Sequence, residues 1–276
     1  MKEVVFLNGK FLTSKDAKIS VLEPGFLYGW GLFETMRSYN NKIVYFDQHL
    51  KRIKRSCRLI QVKFPYSIGK LKGIIQRAVK LSDGRDVYVR LTLWKSDIGT
   101  GTLITTRKCQ PYSFKKYREG LRACISLFRQ NESSCLSQIK TTNYLLYRLS
   151  LMQAKNNGFD EGIILNNRGY IAEASRSNIF FVKDKEIFTP ALECGCLDGI
   201  TRRVIFDFAK KHKLKIQEGK FIPSDLYEAD EAFLTNSLMG VMPLTRLEKK
   251  PIAKGLAGRT TKLFIKKYNL LLKNGT

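Results

Sequence analysis

Lys140 lies in the run Ser137-Gln138-Ile139-Lys140-Thr141-Thr142-Asn143-Tyr144, with uncharged neighbours on both sides and a predicted helix just beyond. A lysine in a partly apolar setting is pushed towards its neutral amine, the nucleophile of Schiff-base chemistry. A solvated surface lysine is the plainer alternative on residue type alone. A second spacing, Gly199-Ile200-Thr201, opens another predicted helix. Backbone N–H groups at the positive end of a helix make an anion site, and the Thr201 hydroxyl adds a donor. An ordinary Gly-Thr helix start is the alternative there.

Other chemistries find less support. The chain has 2 His, too few for a His-rich metal site or histidine-centred hydrolysis. His49 follows Asp47, an expected N-cap, and reads as a helix-terminal hydrogen bond. The cysteines at 57, 109, 124, 135, 194 and 196 are irregularly spaced, and only Cys194-Gly195-Cys196 forms a close pair. A zinc site would want two such pairs or added His, so the expectation is buried reduced thiols and no metal. No G-x-G-x-x-G or P-loop run is present.

The elements that must position these residues follow from periodicity. Val4–Leu7 and Lys42–Phe46 read as strands. Asp47 caps a helix with Leu50, Ile53, Cys57 and Ile60 on one arc. On that helix Lys51, Lys54, Arg55 and Arg58 cluster on one flank, while Arg52 falls alone beyond the other edge. A second helix, Ile68 to Lys80, turns Leu71, Ile74, Ile75 and Ala78 inward. Asp86–Leu93 and Leu121–Leu127 alternate as strands around a basic, loop-like stretch near Arg107–Arg118, and the composition shift near residues 107–120 is the candidate linker. Asn143–Asn157 reads as a helix. Hairpins follow at Gly162–Glu173 and Asn178–Thr189, then a helix from Gly199 to Lys213. Strands at Lys215–Glu218 and Glu231–Thr235 and a final helix over Leu256–Leu272 complete an α+β chain in two lobes. The expected division is a smaller domain over residues 1–115 and a larger one over 116–276.

The chain has 276 residues, with 49 Lys+Arg against 24 Asp+Glu, a formal charge of +25. With 43% hydrophobic residues it is no disordered polycation. The charge alone suggests nucleic acid, but no RNA-binding aromatic motif accompanies it. The first apolar run ends at Asn8-Gly9 and is too short for a signal segment. No stretch approaches the ~20 apolar residues of a membrane span. A soluble, cytoplasmic protein is expected.

Six motifs then align in order. They are Tyr28-Gly-Trp-Gly-Leu-Phe33-Glu34-Thr35-Met36-Arg37, His49-Leu50-Lys51-Arg52, Lys140-x-x-Asn143-Tyr144, Glu173-x-Ser175-x-Ser177-Asn178, Leu197-Asp198-Gly199-Ile200-Thr201-Arg202 and Thr235-Asn236-Ser237. With these the chain resembles the class IV, fold-type IV family of pyridoxal-phosphate (PLP) enzymes. That family includes branched-chain aminotransferases, D-amino acid aminotransferases and aminodeoxychorismate lyases. The resemblance implies a two-domain, D-amino acid aminotransferase-like α+β fold and a homodimer acting on an amino acid-like substrate. It implies that Lys140 carries PLP covalently and serves as general base, that Glu173 meets the pyridine nitrogen, and that Tyr144 faces the phenolic oxygen. Arg52, Gly199, Ile200, Thr201, Asn236 and Ser237 would hold the phosphate, with Asn178 beside the cofactor. Tyr28, Phe33, Thr35 and Arg90 would face the substrate.

Within the family, Phe33–Arg37 and Thr235-Asn-Ser-Leu-Met-Gly-Val-Met-Pro243 are most similar to aminodeoxychorismate lyases, which release pyruvate and 4-aminobenzoate, a folate precursor. Aminotransferases often have Gly at the Thr35 position. Tyr88-Val89-Arg90 and Ser96–Gly101 resemble branched-chain aminotransferases instead. Leu93-Trp94-Lys95 replaces the Arg-Gly that lyases often carry there.

Overall fold

A computed structural model describes residues 3–274. The chain folds as two compact units. The first comprises the residues up to Gln110, the segment Ile139–Asn143 and the chain end from Leu271; the second is Pro111–Gln138 with Tyr144–Leu270.

The first unit contains β1 (Val4–Leu7), β2 (Lys10–Leu12), α1 (Pro24–Leu27), β3 (Gly31–Tyr39), β4 (Lys42–Ile43), α2 (Phe46–Leu59), α3 (Ile68–Leu81), β5 (Asp86–Ser96) and β6 (Gly99–Lys108). Its strands form one antiparallel sheet in the order β2-β1-β6-β5-β3-β4. Side chains alternate across a strand. Leu32 and Met36 of β3 and Val89 and Leu91 of β5 therefore bury together with Leu50, Ile53 and Cys57 of α2 and Leu71, Ile75 and Ala78 of α3. By the same alternation Phe33, Thr35 and Arg37 take the opposite face of β3.

The second unit contains α4 (Phe114–Glu119), β7 (Leu121–Gln130), α5 (Leu145–Asn156), β8 (Glu161–Asn166), β9 (Ile171–Ala174), β10 (Asn178–Lys183), β11 (Glu186–Pro190), α6 (Ile200–Lys211), β12 (Ile216–Gly219), α7 (Pro223–Tyr227), β13 (Glu231–Asn236), β14 (Gly240–Leu247), β15 (Lys250–Pro251) and most of α8 (Arg259–Asn274). The sheet runs β12-β11-β10-β13-β14-β7-β8-β9, with β15 paired to β14. The β14–β7 and β7–β8 pairs at its centre are parallel. Ile163, Ile179, Leu234, Met242 and Leu244 fill the core beneath it.

Several elements differ from the sequence expectation. The Lys42–Phe46 strand shrinks to Lys42–Ile43, because Tyr45 adopts a left-handed backbone (φ 52°) as the true N-cap of α2. Asp47 sits inside the first turn instead, where its charge still favours the helix start. The basic stretch near 107–118 is not one loop. Arg107 and Lys108 end β6, paired to Tyr88 and Val87, and Phe114–Glu119 is α4, capped by Ser113. Five cysteines are buried free thiols and Cys135 is exposed. Among the described residues no helix is long and apolar enough to cross a membrane.

Candidate active site

In the first unit the lysine segment is pinned to the start of β3. The Phe33 amide donates to the Lys140 carbonyl at 2.8 Å, and the Thr142 amide to the Gly31 carbonyl at 2.9 Å. Thr141 Oγ1 donates to the same Gly31 carbonyl, and Thr142 Oγ1 and Asn143 Nδ2 both donate to the Gly29 carbonyl. Gly29 has φ +62°, a left-handed conformation in which a side chain would also meet Asn143 at 2.9 Å. The Lys140 Nζ lies 4.5 Å from the centroid of the Phe33 ring, and the Arg90 guanidinium lies 3.7 Å from that same ring. Arg90 pairs with Thr35 across β3 and β5, and Thr35 shares Phe33's face of the strand. One aromatic ring, one amine, one hydroxyl-bearing residue and one guanidinium thus gather at the edge of the lysine segment. Tyr28 ends α1 and is 70% exposed.

Behind β3, on the helix-covered face, lies a cluster that sequence reasoning missed. Glu34 is buried and accepts from Arg52 Nε and Nη2, each at 2.7 Å. His49 Nδ1 meets Glu34 Oε2 at 2.7 Å. His49 is therefore no helix-terminal hydrogen bond; it sits one turn before Arg52 on α2, and both reach one carboxylate. Burial pushes the His49 pKa down despite that carboxylate, leaving a neutral ring that donates from Nδ1. For Glu34 burial pulls upward, but the Arg52 charge, then the His49 contact, holds it at about 2. Arg52 is 8% exposed while Lys51, Lys54, Arg55 and Arg58 are exposed, the separation the helical wheel indicates. The available signal was Glu34 itself, an acid inside the apolar run Gly31–Met36, which must find a cation if buried.

In the second unit Glu173 lies on a fully buried strand, β9, and is 5% exposed. It accepts from Tyr147 Oη at 3.0 Å, from the Leu197 amide at 3.2 Å and from Asn178 Nδ2 at 3.3 Å. Asn178 Nδ2 also donates to the Leu197 carbonyl, so the expected Asn178 fixes both the carboxylate and the loop leading to α6. Gly199 is the N-cap of α6, and no side chain caps the helix. A Cβ on Gly199 would fall 2.0 Å from Asn178 Oδ1, so only glycine lets the helix start pack there. Ile200 and Thr201 open the helix and are buried. Asn236 shapes the β13–β14 turn: its Oδ1 accepts from the Leu238 and Met239 amides, and its Nδ2 donates to the Arg176 carbonyl. Ser237 lies half-buried in that turn. Tyr144 caps α5 and donates from its hydroxyl to the Ser175 carbonyl at 3.2 Å. Glu161, also unforeseen, holds this loop through Ser175 and Arg176.

These donors suit PLP. Ser177 Oγ and Thr235 Oγ1 are buried without a hydrogen-bond partner, in the unit that also holds the uncapped helix start and the Thr201 hydroxyl. Buried donors and an open helix N-terminus match a phosphate, and a buried carboxylate held by neutral donors matches a protonated pyridine.

The comparisons agree. The family profile for amino-transferase class IV matches residues 31–247. A putative branched-chain-amino-acid aminotransferase of Methanocaldococcus jannaschii is 31% identical over 275 residues, covering 96% of this chain and 94% of the relative. The aminodeoxychorismate lyase of Bacillus subtilis is 31% identical over 258 residues, covering 89% and 87%. Among solved structures, a T.th. branched-chain amino acid aminotransferase with pyridoxamine 5'-phosphate superposes with a TM-score of 0.93 at 26% identity, covering 99% of this chain and 95% of that one. The chain belongs to the class IV aminotransferase family of PLP-dependent enzymes.

Proposed function

We propose that this chain is a homodimeric aminodeoxychorismate lyase that releases pyruvate and 4-aminobenzoate. The observation that carries this reading is Thr35. It follows two residues after Phe33 on the same strand face, and the Phe33 ring lies 4.5 Å under the Lys140 amine. A hydroxyl-bearing side chain on that face suits a substrate that must lose an oxygen-linked group. The similarity to the Bacillus lyase and the Thr235–Pro243 run point the same way.

The bound cofactor would supply the electron sink that lets a proton leave the amino-bearing carbon. Lys140 Nζ would hold the cofactor until the substrate amine displaces it, and the freed Lys140 amine would take that proton as general base. Loss of the enolpyruvyl group from the neighbouring carbon would then make the ring aromatic, and Lys140 would return its proton to the departing group, released as pyruvate. Arg90 would hold a substrate carboxylate by a charge-assisted contact. Glu173 would keep the pyridine nitrogen protonated. Arg52, Gly199, Ile200, Thr201, Asn236 and Ser237 would hold the phosphate, with Glu34 fixing the orientation of the Arg52 fork. Tyr144 would face the cofactor's phenolic oxygen.

A second reading, branched-chain aminotransferase, is favoured by Arg90 beside Phe33 and by the greater sequence coverage of the Methanocaldococcus relative. Three parallel assays separate them: aminodeoxychorismate alone, L-leucine with 2-oxoglutarate, and D-alanine with 2-oxoglutarate. Pyruvate with 4-aminobenzoate from the first supports the lyase. Glutamate from the second, with no product from the first, overturns it. In either case Lys140→Ala is expected to abolish turnover and borohydride trapping of the cofactor.

A further inference from the structure

Neither the motifs nor the proposed reaction uses Tyr147, yet its phenol is bound on both sides. Its oxygen accepts from Gln130 Nε2 at 3.2 Å, and its hydrogen goes to Glu173 Oε1 at 3.0 Å. The direction of this relay is fixed by a third contact. Gln130 Nε2 also meets the Gly195 carbonyl at 3.3 Å, which can only accept, so the amide nitrogen is the atom on that side. With its lone pair engaged by Gln130, the Tyr147 hydroxyl delivers its single proton to the carboxylate.

The ring is equally constrained. Tyr147 stands three residues after Tyr144 at the start of α5, and neighbours at that spacing share a helix face. The two rings stack at 4.8 Å with 19° between their planes. Burial pushes the Tyr147 hydroxyl well above its ordinary range, and the Glu173 charge adds to that effect; the Tyr144 hydroxyl and the Cys196 thiol are its other titratable neighbours. The phenol therefore stays a donor throughout the working pH range.

We propose that Tyr147 is a positioning residue for Glu173, holding one carboxylate oxygen in place and lowering the carboxylate's basicity so that a proton shared with a ring nitrogen stays on the nitrogen. This rests on the reading of Glu173 as the carboxylate that meets the pyridine nitrogen. A hydrogen bond to the charged form of an acid favours that form. Removing the donor should return affinity for protons to Glu173 and weaken the electron sink without disturbing how substrate is held.

The test is Tyr147→Phe, which keeps the stacked ring and removes only the hydroxyl. In the full-length chain before cofactor addition, carbon-13 NMR of labelled glutamate should show the Glu173 carboxyl titrating about one pH unit higher than in the parent. In the PLP-loaded enzyme, kcat should fall about tenfold with KM for the amino-bearing substrate unchanged, and borohydride should still fix the cofactor on Lys140. A role in packing alone would move neither the titration nor the kcat-to-KM split. An unchanged Glu173 titration, or an unchanged kcat, overturns the proposal. If the parent chain takes up no PLP, the cofactor reading has failed, and the titration alone still decides whether Tyr147 acts on Glu173.

Discussion

At the residue scale, the Glu34–Arg52–His49 cluster shows how one buried carboxylate organises a site. Two cation-capable side chains one turn apart on α2 converge on an acid that β3 delivers from the opposite side. Glu34→Gln keeps the shape but takes the Glu34 charge away from the buried Arg52 guanidinium. Removing one partner of such a pair costs about 3 kcal/mol or more. Urea denaturation at neutral pH should show that loss, with an unchanged midpoint arguing against the cluster's role. The same group sets an acid limit. The folded Glu34 pKa, about 2, lies below its ordinary 4.5, so its stabilisation is complete above about pH 4.5 and is lost as pH falls towards 2. His49, also depressed on folding, binds fewer protons in the native state and adds to the loss below its ordinary 6.5. The parent should therefore lose stability progressively as acidity rises, and Glu34→Gln should lose less of its own over the pH range from 4.5 down to 2.

At the element scale, what the sequence made legible was what periodicity can express. Helices α2 and α3 carry one apolar arc each, and the arcs Leu50–Ile53–Cys57 and Leu71–Ile75–Ala78 are the buried ones. Strand β3 gave no such signal: both its faces are covered, so Leu32, Glu34, Arg37 and Ser38 are all buried and polarity does not alternate with exposure. Strand β6 and the end of the basic stretch were obscured because Thr105, Thr106, Arg107 and Lys108 owe their extended form to pairing with β5, a partner remote in sequence. The candidate residues Glu173, Asn178 and Gly199 were legible as a motif, but not that Asn178 joins the other two. That junction makes α6 testable as an element. Gly199→Ala forces a methyl against Asn178 Oδ1, and overpacking of this kind costs about 1–3 kcal/mol. Asn178 must yield, loosening both Glu173 and the helix start. Equilibrium titration with PLP should show weaker uptake in Gly199→Ala than in the parent, while equal affinity would mean that the helix start does not hold the phosphate.

At the scale of the whole molecule, the charge of +25 becomes a statement about association. Its sources are dispersed: Lys51, Lys54, Arg55 and Arg58 line the outer side of α2, Lys210 and Lys211 the end of α6, and Lys262 and Lys266 the exposed side of α8. No carboxylate excess offsets them, so two copies of this chain repel at long range. Against that repulsion stands an apolar run in the first unit. Val21, Leu22, Phe26 and Tyr28 are each more than 60% exposed, with Ile19, Leu27 and Trp30 around them. An exposed apolar run of this extent is a surface in want of a partner, and the proposed homodimer would supply a second copy. The two forces respond differently to salt. Coulomb repulsion between surfaces is screened over about 10 Å at 0.1 M ionic strength, whereas burial of apolar side chains persists. Dimerisation should therefore strengthen as salt rises, the reverse of a nucleic-acid complex, whose affinity falls steeply with salt. Sedimentation equilibrium at low and high ionic strength would read this directly: a dimer constant that tightens with salt is expected. Phe26→Asp, which sets a carboxylate in the apolar run, should shift the chain towards monomer at both strengths. A parent chain that stays monomeric at high salt would remove the dimer from the proposal and leave the apolar run without its partner.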